Sequence, residues 1–95
     1  MERITQIYNN KYYVDVNKVQ KDKNGYTGDA IEYLGKLENV YEEFKLRLEK
    51  IEAEMENYRN TGKQKTILFK ELMGKKVVLK NVLDVFKEKC KTFKD

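Results

Sequence analysis

Between residues 34 and 58 apolar side chains recur at Leu34, Leu37, Tyr41, Phe44, Leu48, Ile51, Met55 and Tyr58, in unbroken steps of three and four. A stripe that returns about every 3.5 residues is what an α-helix presents to another helix. The stretch therefore reads as one long helix with a single apolar seam. Leu34, Tyr41, Leu48 and Met55 take the a positions, and Leu37, Phe44, Ile51 and Tyr58 the d positions. No proline occurs anywhere to break it. Asp29 lies three residues before Glu32, the spacing of a capping box, so the helix is expected to start at residue 29.

Asn60-Thr61-Gly62-Lys63 interrupts the stripe, and a second one follows: Phe69, Leu72, Lys76, Leu79, Leu83, Phe86, Cys90 and Phe93. Only Lys76 departs from it. Two helices of nearly equal length joined by a short polar turn predict an antiparallel hairpin. Charge agrees: residues 29–60 carry a net −4 and residues 61–95 a net +6, so an acidic helix is paired with a basic one. Phe44, Leu48, Ile51, Leu79, Leu83 and Phe86 are the expected central core.

Two registers compete. A wide turn sets Tyr58 against Phe69 and Ile51 against Lys76, and brings Glu54 near Lys75 and Glu38 near Lys87. A tight turn, with Thr61 and Gln64 forming a second capping box, sets Ile51 against Phe69 and Arg47 near Lys75. The like-charge contact favours the wide turn.

Before residue 29 the period shortens to two. Tyr12, Val14 and Val16 share one side of an extended strand, and Asn9-Asn10 tolerates the positive φ of a tight turn. A β-hairpin of residues 3–8 with 11–17 is expected; the competing reading is a short amphipathic helix from Arg3 to Tyr13. Residues 20–28, with Gly25 and Gly28, read as a polar linker. The expected fold is thus mainly α, in the α+β class. It comprises an N-terminal β-hairpin (1–19), a linker (20–28) and a long antiparallel two-helix coiled-coil hairpin (29–60 and 61–95), all in one domain.

Function is narrowed mostly by exclusion. The chain has no His and no Ser, which removes Ser–His and Cys–His catalysis and any His-based metal site. Gly62-Lys63 and Gly35-Lys36 lack the remaining residues of a phosphate-binding loop. Glu38, Glu42, Glu49, Glu52 and Glu56 read as a solvated helix face. No enzyme activity, cofactor or metal is expected. Cys90, the lone cysteine, falls on the seam and reads as a buried small hydrophobe. One thiol and no leader-like N-terminus fit the cytoplasm. No run approaches the ~20 apolar residues that span a membrane, so no membrane partner is expected.

The second helix carries more apolar surface than one seam needs. Leu68, Val78, Val82 and Val85 form an adjacent stripe, the candidate protein interface. A homodimer or another, unidentified protein is the expected partner. Small size and a composition rich in Lys, Asn, Ile and Tyr extend the expectation to a phage-type or mobile-element regulator or inhibitor of a host protein. The alternative is nucleic-acid binding through the lysine-rich second helix, with Lys75, Lys76, Lys80, Lys87, Lys89 and Lys91 as candidate contacts. Tyr12, Tyr13 and Tyr26 are able to stack on bases.

Overall fold

A computed structural model describes residues 2–91. Phe93, on the second seam by its spacing, lies outside them. The chain is mostly helical, with two small N-terminal β-hairpins and two helices packed against each other. It divides into two compact units, residues 1–39 and 40–95.

The first unit opens with strands β1 (Gln6–Tyr8) and β2 (Lys11–Tyr13), antiparallel, with Tyr8 opposite Lys11. Asn9 and Asn10 both take positive φ, 51° and 64°, the type I′ geometry whose twist matches paired strands. The helical alternative for residues 3–13 therefore falls. The second strand is shorter than expected: it ends at Tyr13, and Val16–Lys18 wind into a 3-10 turn in which the Lys18 N–H donates to the Asp15 carbonyl (2.9 Å). Val16 is left 93% exposed instead of sharing a strand face with Val14.

The expected linker at 20–28 is instead a second hairpin, β3 (Gln20–Asp22) with β4 (Gly25–Thr27). Its turn is built by side chain and glycine together. The Asp22 carboxylate accepts from the Asn24 N–H (2.7 Å), and Gly25 takes φ 132°. That local bond turns a polar stretch into a tight loop between strands.

Helix α1 spans Asp29–Asn60. Gly28, not Asp29, is its N-cap: the first helical bond runs from the Glu32 N–H to the Gly28 carbonyl (2.9 Å). Asp29 and Glu32 sit in the first turn, where the helix dipole favours acids, and Asp29 lies 3.8 Å from the Lys18 ammonium.

In the second unit α1 ends in a Schellman motif. Gly62 adopts φ 72°, the Lys63 N–H reaches the Tyr58 carbonyl (2.7 Å), and the Gly62 N–H reaches the Arg59 carbonyl (3.1 Å). Thr61 thus closes the first helix rather than capping the second. Thr66 is the cap of α2 (Ile67–Lys89), accepting from the Phe69 N–H at 3.2 Å. The helices are 32 and 23 residues long, not nearly equal, because the turn extends to Thr66 and α2 stops at Lys89.

This wide turn selects the register. The Tyr58 and Phe69 rings meet edge-on at 6.4 Å, and those of Tyr41 and Phe86 at 5.8 Å, so the helices run antiparallel. Tyr41, Met55, Phe69 and Leu83 are the buried apolar residues among those described, each on a heptad position. Of the six expected core residues only Leu83 is buried. Phe44, Leu48, Ile51, Leu79 and Phe86 are half-buried, because two helices touch along one line and leave both flanks of the seam wet. Cys90 is exposed, not buried: the helix ends there, with φ −127° and ψ 93° at the cap.

Candidate interaction surfaces

In the second unit a groove of about 880 Å³ runs along one flank of the helix pair. Ile51, Leu72 and Leu79 from the seam line it, joined by Val78 and by Gly74. A β-carbon added at Gly74 would meet nothing within 4 Å, so packing within the chain does not require a glycine there.

The remaining lining is charged and ordered. With Tyr58 opposite Phe69 and Tyr41 opposite Phe86, Glu54 stands level with Met73, Lys50 with Val77 and Arg47 with Lys80. Glu54 and Glu71 therefore mark one end, with Lys75 beside them, and Lys50 and Arg47 the other. Glu54 and Lys75 both line this groove, as does Arg47. A polar notch of about 190 Å³, lined by Tyr58, Glu71 and Leu68 among others, continues it toward the start of α2.

Three of the four candidate interface residues are open to solvent. Leu68 is 58% exposed, Val78 63% and Val85 56%, whereas Val82 is half-buried. Helical spacing explains the difference, since Val82 lies nearest the seam residues Leu79, Leu83 and Phe86. Of the six candidate lysines, Lys75, Lys80, Lys89 and Lys91 are exposed, while Lys76 and Lys87 are half-buried beside the seam.

Basic side chains also lie over the seam aromatics. Lys45 sits 5.8 Å from the centre of the Tyr41 ring, Arg47 5.8 Å from Phe44, and Arg59 5.3 Å from Phe69. Arg47 additionally pairs with Glu43 at 2.6 Å, one turn earlier on the same helix. These contacts shield the wet flanks of the seam with hydrocarbon stems and leave the charges in water.

In the first unit a cavity of about 550 Å³ is lined mainly by Ile4, Val14, Val19, Ile31, Leu34 and Leu37, with Arg3 and Thr5 as its polar members. Heptad spacing puts Leu34 on the helix seam; it lines this cavity with Val19 instead. The same unit holds an open aromatic surface. Tyr8, Tyr12, Tyr13 and Tyr26 are 68, 69, 49 and 63% exposed. Three-residue strands leave too little ribbon to bury an aromatic ring, and the sequence pattern suggests longer ones.

Among the described residues no cluster of three or more Cys, Asp or Glu side chains is placed to hold a metal ion, and no helix is long and apolar enough to cross a membrane. Comparison with protein-family models, with curated proteins and with solved structures returned no match.

Proposed function

We propose that this chain is a small non-enzymatic protein-interaction module that works as a homodimer. Each copy lays the open flank of its helix pair on the other, extending the two-helix seam into a four-helix coiled-coil core. The observation that carries the reading is the exposure of Leu68, Val78 and Val85 on α2, with Val78 lining the groove and Leu68 the notch that continues it. Apolar side chains left open in this way are a usual mark of a contact surface.

Charge order supports a second copy as the occupant. The groove is acidic at Glu54 and Glu71, where Lys75 stands beside them, and basic at Lys50 and Arg47. A copy related by a twofold axis runs the opposite way and sets each acidic end against a basic one. Its core is also short of partners: only four apolar side chains are buried among the described residues. Small chains with so little core are commonly completed by association.

The wider reading, a phage-type or mobile-element regulator or inhibitor of a host protein, uses the same face and rests on size and composition. Polyanion binding along α2 is the runner-up, favoured by the exposure of Lys75, Lys80, Lys89 and Lys91.

Sedimentation equilibrium tests the dimer. The wild type is expected to dimerise at micromolar concentration. Val78→Glu, at an exposed position beside Arg47 and Lys50, is expected to stay helical and become monomeric. A wild type that remains monomeric at high micromolar concentration overturns the reading, as does a Val78→Glu variant that dimerises as well as its parent.

A further inference from the structure

The two hairpins repeat one arrangement that the helical reading leaves unused. In β1–β2, Tyr8 stands directly opposite Lys11; in β3–β4, Tyr26 stands directly opposite Lys21. Directly opposed residues of an antiparallel pair project from the same side of the ribbon, with β-carbons about 4.5–5.5 Å apart. Each hairpin therefore presents a phenol ring and an ammonium side by side, and both members of each pair are exposed.

The surroundings suit a polyanion. Gln6 and Tyr13 share the ribbon side of Tyr8 and Lys11, and neither is acidic. Asp22, the one acid in the second hairpin, projects from the side opposite Lys21 and Tyr26, and its carboxylate is engaged by the Asn24 N–H of the turn. Residues 2–28 hold five basic and three acidic side chains, a net +2. Tyr8 and Tyr13 meet edge-on at 6.5 Å, which holds the Tyr8 ring in place while most of it stays in water.

We propose that the N-terminal hairpins bind single-stranded nucleic acid, one base stacking on Tyr8 and another on Tyr26, with Lys11 and Lys21 holding the adjoining phosphates. A base and its own phosphate are separated by one sugar, a span that the flexible four-carbon stem of lysine covers. Stacking requires a free base face, which a single strand offers and a duplex keeps inside its own stack. The recognition proposed is by ring faces and phosphates, which every single strand offers whatever its sequence. This site is independent of the proposed dimer face, which lies on the helices.

Fluorescence anisotropy of a labelled oligothymidylate of about a dozen nucleotides, at low and at physiological salt, tests the proposal. The wild type is expected to bind the single strand, more tightly than a duplex of the same length, and to weaken as salt rises. Tyr8→Ala and Tyr26→Ala are each expected to lose about fivefold or more, the lower end of what one stacked base contributes. Tyr8→Phe and Tyr26→Phe keep the ring face and are expected to retain binding, which separates stacking from a lost hydroxyl. Lys11→Gln and Lys21→Gln leave the turns intact, and each is expected to lower the salt dependence by roughly one phosphate contact. Absence of binding at low salt overturns the proposal and returns the tyrosines to a protein contact. So does binding that survives Tyr8→Ala, Tyr26→Ala, Lys11→Gln and Lys21→Gln; its loss in Lys80→Gln with Lys91→Gln would then put the strand along α2. Sedimentation of the same samples reads the dimer separately, so failure of one proposal leaves the other standing or falling on its own measurement.

Discussion

Gly28 stands where three constraints meet. Its φ of 118° is outside the range L side chains favour, its carbonyl starts α1, and a β-carbon there would lie 2.5 Å from the Lys18 carbonyl oxygen. Neither backbone can yield without moving the 3-10 turn off the helix start. Gly28→Ala is therefore expected to cost about 1–3 kcal/mol, read as a lowered midpoint in urea. Gly25 also has a positive φ, 132°, but open space around it, so Gly25→Ala is expected to cost less than Gly28→Ala. Seam residues separate in the same way. Leu83 is 2% exposed, and Leu83→Ala is expected to cost about 2–5 kcal/mol. Phe86 is half-buried against Tyr41, so Phe86→Ala falls short of a full aromatic-core loss. A larger loss at Phe86 than at Leu83 contradicts this ordering.

Elements differ in how openly the sequence announces them. The heptad stripes announce two helices packed against each other, and the four buried apolar residues all fall on them, because the apolar periodicity is strong over many turns. Leu34 and Cys90, at the outer ends of the stripes, are exposed. Their ends were harder to read, since each depends on one backbone bond. Thr61 and Thr66 are alike as candidates for capping, and the choice rests on Gly62 closing α1 first through its positive φ. Thr66→Ala is accordingly expected to cost about 1 kcal/mol with an unchanged denaturant slope. Thr61 donates its hydroxyl to the Asn57 carbonyl instead of capping α2, and Thr61→Ala is expected to cost less than Thr66→Ala. The second hairpin was hidden for a related reason. Its strands are three residues long and exposed throughout, so no alternation of apolar and polar residues marks them. The signal that existed was Asp22-Lys23-Asn24-Gly25, a turn sequence whose flanks looked like linker. Among the site residues, the outward position of Leu68, Val78 and Val85 was legible from spacing alone. The partial burial of Val82 and of Lys76 was not, because it depends on how far each side chain leans toward the seam.

For the molecule as a whole, Gly74 gives the dimer its sharpest test. A glycine inside an exposed helix weakens it by roughly 0.8–1 kcal/mol relative to alanine. Among the described residues nothing beyond the helix's own nearby backbone lies within 4 Å of where the added methyl would go, so Gly74→Ala should stabilise an isolated copy by about that amount. Gly74 also lines the groove between its acidic and basic ends, near the centre of the proposed twofold contact. There a missing side chain lets a second backbone come close, and a methyl group holds it away. The substitution is thus expected to act with opposite signs on the two equilibria, strengthening the fold of the single copy and weakening the association. Thermal unfolding of wild type and Gly74→Ala across a wide range of protein concentration separates them, because only an associating protein has a midpoint that rises with concentration. The expected result is a crossing: Gly74→Ala melts higher at low concentration, and the wild type overtakes it as the dimer fills. Parallel curves, with Gly74→Ala higher throughout, would place the contact elsewhere or remove it.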